Sequence, residues 1–245
     1  IFYLTVVNSI LCFGQETIIG ASVHYGYQLP TGDFQSVYTN NSNIGLNFNI
    51  KLPSNITLGL EGQFLFGSNY KDLSLLGNMV TNGGFIIVAD NQVEIPAVEG
   101  RGGNFFLEAG KIFSLNSKKK NNSGLHIKGG IGYIFYSAYV NADLKALTQL
   151  SGGYSDGYNK LESGLSINTF IGYTLYSKNK LINGSAGIQT IYASTKYAGT
   201  IDFSTGNETN KTSRSSLLIG PKINITLILK RFKKKDLKSD GYFYD

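Results

Sequence analysis

The chain holds one cysteine, Cys12, set in an apolar N-terminal segment, so no disulfide can staple the remainder. One cysteine and two histidines, scattered in sequence, are too few for a metal-ligand set, and no cofactor motif is present. Proline is scarce, with 4 residues in 245, and no apolar run reaches the roughly 18 residues that a membrane-crossing helix needs. Charged residues make up only 16%. Against these scarcities stand 30 Gly, 16 Tyr and 15 Phe, a composition that favours strands over helices. The mean hydropathy of −0.06 is compatible with a membrane barrel, in which only alternate residues meet lipid.

What is present is a strict two-residue period. Ile44, Leu46, Phe48, Ile50 and Leu52 fall on one face, and Gly45, Asn47, Asn49 and Lys51 on the other. After Pro53-Ser54-Asn55 the pattern resumes, with Ile56, Leu58, Leu60, Phe64 and Phe66 opposite Thr57, Gly59, Glu61 and Gln63. These segments exceed the usual strand of about 5 to 6 residues and match the ~9 to 11 that a tilted strand needs to span a bilayer. A face of Gly, Asn, Glu and Gln suits a barrel lumen better than a sandwich core, because buried polar groups need partners.

Six more stretches repeat the pattern: 17–29, 104–115, 124–137, 164–176, 181–196 and 215–230. In the first, Ile19, Ala21, Val23, Tyr25 and Tyr27 point outward, with Ser22 and His24 inward. The connections alternate long and short, as outer-membrane barrels require. The expectation is an all-β fold: a transmembrane antiparallel up-and-down β-barrel of eight strands, with long extracellular loops, short periplasmic turns and both termini periplasmic in a bacterial outer membrane. Residues 1–14 read as the end of a secretory leader, 15–231 as the barrel and 232–245 as a basic tail.

Several details carry their own expectations. Residues 67–103 form a 37-residue connection, with Asp72 to Val80 as a short helix or packed apolar stretch and Phe85 to Val88 as a second apolar patch. Lys111 has outward parity near a strand end, where its stem can snorkel. Pro221 removes a ladder donor, which predicts a bulge or local break. Tyr25, Tyr27, Phe64, Phe66, Phe105, Tyr133, Phe135, Tyr173 and Tyr192 face outward toward strand ends as interfacial girdles.

An eight-stranded barrel is just wide enough to be filled by its own side chains. The inward residues with chemistry are His24, Glu61, Gln63, Glu108, Lys128, Gln189 and Lys222. His24, Glu61 and Lys222 count to mid-height, Glu108 somewhat above and Lys128 somewhat below. Because an unpaired buried charge is costly, a network joining Glu61 and Glu108 to Lys128 and Lys222 is expected. Catalysis would need a Ser, His and carboxylate near one interface. Only His24, with Ser22 on its face, and His126 are available, and satisfied interior histidines are the simpler reading. Gly129-Gly130-Ile131-Gly132 lies inside a strand and is no phosphate loop. The tail residues Lys230, Arg231, Lys233, Lys234, Lys235 and Lys238 suit anionic lipid heads better than nucleic acid.

The leader ending Phe13-Gly14-Gln15, the run Gly26-Tyr27-Gln28-Leu29-Pro30-Thr31-Gly32-Asp33, and Gly164-Leu165-Ser166-Ile167-Asn168 with Phe170-Ile171-Gly172-Tyr173 together resemble the small eight-stranded outer-membrane proteins of the Bacteroidota, as does the ending Gly241-Tyr242-Phe243-Tyr244-Asp245. That resemblance implies a barrel of a broad group whose function is generally unassigned, in some cases an accessory subunit of an envelope machine for secretion or barrel assembly. A tail after the last strand departs from barrels that end on a strand aromatic. The functional expectation is a non-enzymatic barrel, in contact with outer-membrane lipid and an envelope protein partner through its loops and tail. A lipid-modifying enzyme, a narrow ion or solute channel and a secreted soluble β-protein are the alternatives.

Overall fold

The computed structural model describes residues 16–71, 73–87, 92–95, 97–114, 122–141, 158, 160–177, 183–199, 201–202, 207–208 and 213–233. The leader segment 1–14 and Lys234, Lys235 and Lys238 of the tail lie outside them. Eight long strands form the fold: β1 (Glu16–Gly32), β2 (Asn41–Lys51), β3 (Ile56–Asn69), β4 (Ala97–Phe113), β5 (Gly124–Asn141), β6 (Leu161–Tyr176), β7 (Asn183–Tyr197) and β8 (Arg214–Lys233). Each pairs antiparallel with its neighbours in sequence, and β1 pairs with β8, closing an up-and-down barrel.

The two-faced period sets which side chains go where. Val23, Leu46, Phe48, Leu60, Leu107, Ile131, Ile167 and Ile225 are all more than half exposed on the outer wall. Ser22, His24, Asn47, Glu61, Gln63 and Glu108 are buried inside. The outward aromatics gather toward the long-loop end, where Tyr25 meets Ser42 at 3.0 Å, Asn40 donates to Tyr27 at 2.9 Å and Tyr133 donates to Ser163 at 2.7 Å. At the other end the outward rings include Phe113, Phe232 and Tyr173, with Lys111 over Phe113 at 5.8 Å and Lys230 over Phe232 at 4.7 Å. The β2–β3 turn is tight: Asn55 takes φ 62°, donates its N–H to Leu52 O at 2.9 Å and offers its carbonyl to Ile112 N at 2.9 Å.

One expected boundary changes, and the local break at Pro221 can be placed. The 37-residue connection is shorter, because β3 runs on to Asn69 and β4 starts at Ala97, pairing there with Asn141. Of the bulge or local break expected at Pro221, the structure shows the local break. The register with β7 runs unbroken, Gly220 to Gln189 and Pro221 to Ile188, and on the β1 side only the rungs at Tyr27 and Gln28 drop out. The shift in that seam lies lower, at Ile19/Gly20.

The lumen is not polar throughout. Toward the long-loop end the inward residues become apolar: Leu65, Phe106, Ile134, Tyr136, Ile191 and Leu218. The connections fold down onto them. Phe34, from the short helix α1 (Asp33–Val37), packs its ring 4.8 Å from Tyr136, and Tyr38 lies 4.6 Å from the same ring. A 3₁₀ segment, Leu73–Met79, delivers Leu75 and Leu76 into this cluster, and the two-stranded hairpin of Ile86–Ile87 and Val93–Glu94 delivers Ile86. Leu75, Leu76 and Ile86 of the long connection therefore form a lid. At the opposite end Ile18, Ile112 and Tyr176 form a smaller apolar floor.

Truncating the lid should loosen it without opening the cylinder. Leu76→Ala removes buried packing worth about 2 to 5 kcal/mol. Residues 70–96 should become several-fold more sensitive to protease while the heat-modifiable gel migration of the barrel stays unchanged.

Candidate functional site

Four strands bring four charges to one level of the lumen. Glu61 stands on β3, Glu108 on β4, Lys128 on β5 and Lys222 on β8, each at inward parity. Lys222 Nζ lies 2.5 Å from Glu61 Oε1, and Lys128 Nζ lies 2.6 Å from Glu108 Oε2 and 3.3 Å from Glu61 Oε2. The side chains of Lys222 and Glu61 are 0% exposed. On β5, Gly130 makes room for the cluster, since a Cβ there would come within 3.0 Å of Glu108 Cγ.

Amides complete the coordination. Asn47 donates to Glu108 at 2.8 Å and to Glu61 at 3.3 Å, Asn168 donates to Glu108 Oε1 at 2.7 Å, and Gln189 donates to Glu61 Oε1 at 3.0 Å. Two carboxylates and two ammoniums cancel, and each carboxylate also accepts neutral donors. That arrangement is what desolvated ions require, since burial penalises each by several kcal/mol unless charge and hydrogen bonds offset it. Sequence parity places Asn47 and Asn168 inside but gives no sign that they bridge the acids; that depends on which strands face each other across the lumen.

The histidines do something simpler. His24 Nε2 meets Gln63 Oε1 at 3.1 Å, and Ser22 pairs instead with Thr226 at 2.8 Å. His126 sits between Thr57 at 3.0 Å and Thr174 at 2.9 Å. The histidine hydrogen bonds described here go to Gln63, Thr57 and Thr174, side chains that are neither serine nor carboxylate. Below the charged level, a cavity of about 40 Å³ is lined by Asn49, Thr57, His126, Thr174 and Asn224, room for a few waters.

Two other clusters lie at the ends. At the long-loop mouth Arg214 donates to buried Glu162 at 2.6 Å, and Thr195 donates to the same carboxylate at 3.2 Å. Burial first, and nearby Glu162 second, hold the Tyr38 hydroxyl well above the usual tyrosine range, so it stays neutral. At the other end Lys51, 0% exposed, donates to Asn122 Oδ1 at 2.8 Å and to the Glu16 carbonyl at 3.3 Å. Arg231 donates to Ser177 O at 2.8 Å and lies 3.5 Å from Glu16 Oε2. Of the candidate basic tail, Lys230, Arg231 and Lys233 belong to β8 itself.

No protein-family model matches the chain, and no curated protein matches it in sequence. Among solved structures it is similar to Ail, the attachment invasion locus protein of Yersinia pestis, in complex with the heparin analogue sucrose octasulfate. That likeness has 10% identity and a TM-score of 0.37, over 86% of this chain and 99% of Ail. It is also similar to the outer membrane protein OprG from Pseudomonas aeruginosa, with 10% identity and a TM-score of 0.37, over 91% of this chain and 98% of OprG. The closed barrel stands on its own strand register.

Breaking one side of the charge layer should be worse than removing a balanced pair. Lys222→Met leaves the buried acids in excess and should lower stability by about 3 to 5 kcal/mol, while the double variant Glu61→Gln/Lys222→Met, which keeps Lys128 with Glu108, should recover most of it. Urea unfolding of the vesicle-inserted barrel measures both.

Proposed function

We propose that this chain is a non-enzymatic barrel of a bacterial outer membrane that serves as a structural or accessory binding subunit, its lumen closed and its loop end offered to a protein partner. The observation that carries the reading is the outer wall. A ring of Leu, Ile, Val and Phe side chains stands exposed all around the barrel. Each would forgo about 1.5 to 3 kcal/mol by remaining in water, so hydrocarbon is the solvent this wall fits. The strand-one and strand-six sequences that resemble Bacteroidota barrels support an envelope of that kind.

In this reading the long loops face outside and both chain ends face the periplasm, with Lys230 and its neighbours near anionic lipid heads. A closed lumen supports a scaffold over a channel: apolar side chains fill it at both ends and ion pairs cross its middle. The pairing of Ser22 with Thr226 and of His24 with Gln63 supports the non-enzymatic assignment. For the contact surface, the hairpin that buries Ile86 leaves Phe85, Ile87, Val93 and Ile95 at 41%, 58%, 60% and 75% exposure. These lie beyond the outward Glu99–Arg101 pair, where Arg101 covers the Tyr139 ring at 4.3 Å. Large apolar side chains in water on a loop are the usual mark of an interface.

Envelope fractionation, protease shaving of intact cells and affinity capture from native membranes test the reading together. The expected result is an outer-membrane, heat-modifiable protein whose loops are cut from outside, with a captured partner whose recovery falls about tenfold on Ile87→Ser/Val93→Ser. A soluble periplasmic protein, or stepwise ion conductance in planar bilayers, would overturn it.

A further inference from the structure

The short-turn end of the barrel brings together a lysine, an asparagine and a glutamate from three separate parts of the chain. Lys51 is the last residue of β2, Asn122 lies just ahead of β5 and Glu16 opens β1. Register sets Lys51 opposite Ile18 on β1 and Thr57 on β3, and both Lys51 and Ile18 are 0% exposed. The amine is closed off from solvent. Its hydrogen bonds among the described residues end on neutral oxygens: Asn122 Oδ1 at 2.8 Å, Glu16 O at 3.3 Å and Leu52 O at 3.4 Å. Asn122 turns the other atom of its carboxamide to the acid, Nδ2 donating to Glu16 Oε2 at 3.2 Å. Arg231 steadies that same oxygen from β8, 3.5 Å away, and is itself tied to Ser177 O at 2.8 Å.

These are the parts of an acyl transfer. A lysine amine is a nucleophile in its neutral form, which a site without water and lined by uncharged oxygens favours. Its target carbon is Asn122 Cγ, the atom that bears the oxygen Lys51 already touches. The leaving nitrogen, Nδ2, is the one that faces the Glu16 carboxylate, a group able to pass it a proton. Closure of the sheet fixes all three, so the amine meets the amide at the high effective concentration that an otherwise slow exchange requires.

We propose that Lys51 and Asn122 join through an intramolecular isopeptide bond, with Glu16 as the catalytic acid and base. The Nζ–Cγ bond forms and the Cγ–Nδ2 bond breaks. The proton shed by Nζ passes through the Glu16 carboxylate to Nδ2, which departs as ammonia. One amide replaces another, with no oxidant or further reactant. The product ties the end of β2 to the β4–β5 turn, positions 71 apart in the chain, and adds a covalent bond to the floor of Ile18, Ile112 and Tyr176.

Mass spectrometry of the full chain tests it, comparing guanidinium-dissolved chain that has never folded with the same chain after insertion into lipid vesicles. Folding should lower the mass by one ammonia, about 17 Da, and a digest should yield a branched peptide holding both Lys51 and Asn122. Lys51→Arg should retain the ammonia, which separates the cross-link from cyclisation of Asn122 onto its own backbone. Glu16→Gln should slow the loss about tenfold or more, with heat-modifiable migration showing that the barrel has closed. A folded barrel of the natural sequence that keeps its full mass, or that loses ammonia without yielding the branched peptide, would overturn the proposal. A loss that persists in Lys51→Arg would do the same, and an unchanged rate in Glu16→Gln would overturn the role given to Glu16. Should a variant fail to fold, the digest of the natural sequence decides.

Discussion

A backbone amide in hydrocarbon has no water to fall back on, and the rest of this structure follows from that constraint. Every strand must be paired on both edges, so the sheet has to close, and closure at eight strands fixes a lumen about as wide as the side chains that fill it. The residues inside are then not free to be anything. Near the middle they are charged and amide-bearing; toward both ends apolar clusters appear beside buried polar groups such as Glu162 and Lys51.

The charged level and the apolar lid do different work on the same cylinder. Ion pairs in a low-dielectric interior are weak evidence for added stability, because desolvation offsets much of their attraction. What they supply is uniqueness. Glu61, Glu108, Lys128 and Lys222 come from β3, β4, β5 and β8, and a one-residue slip of any of these strands would turn its charge toward lipid. The lid contributes ordinary packing and removes water from the mouth. Because it is built from Phe34, Leu75, Leu76 and Ile86, the loops are tied to the barrel instead of standing free of it.

Strand number, order and facing were legible because the outer wall is monotonously apolar and the inner wall at mid-height is polar, so the period of two is visible. Where the inner wall turns apolar, as at Leu65, Phe106, Ile134 and Leu218, both faces read alike and the lid leaves no periodic trace. The start of β4 hid for a related reason: Glu99, Gly100, Arg101, Gly102 and Gly103 carry charge and glycine where alternation would have shown a strand. Heights were harder still. Counting from strand ends sets Lys128 below Glu108, and the register keeps that offset, with Glu108 opposite Gly130; what the count does not show is that the lysine stem spans it to 2.6 Å. Pro221 was legible as the local break it makes, two rungs lost on the β1 side, while β7 holds the register from the other.

The seam that closes the cylinder joins residues far apart in the chain, as Ser22 to Thr226, and Glu16 to Arg231 beside it, make plain. Until β8 has left the ribosome, β1 has no permanent neighbour on that side. A sheet of the other seven strands would carry two unpaired edges and an apolar outer face, the features that invite joining to other chains. The pairing of β8 with β1 is what removes both edges at once.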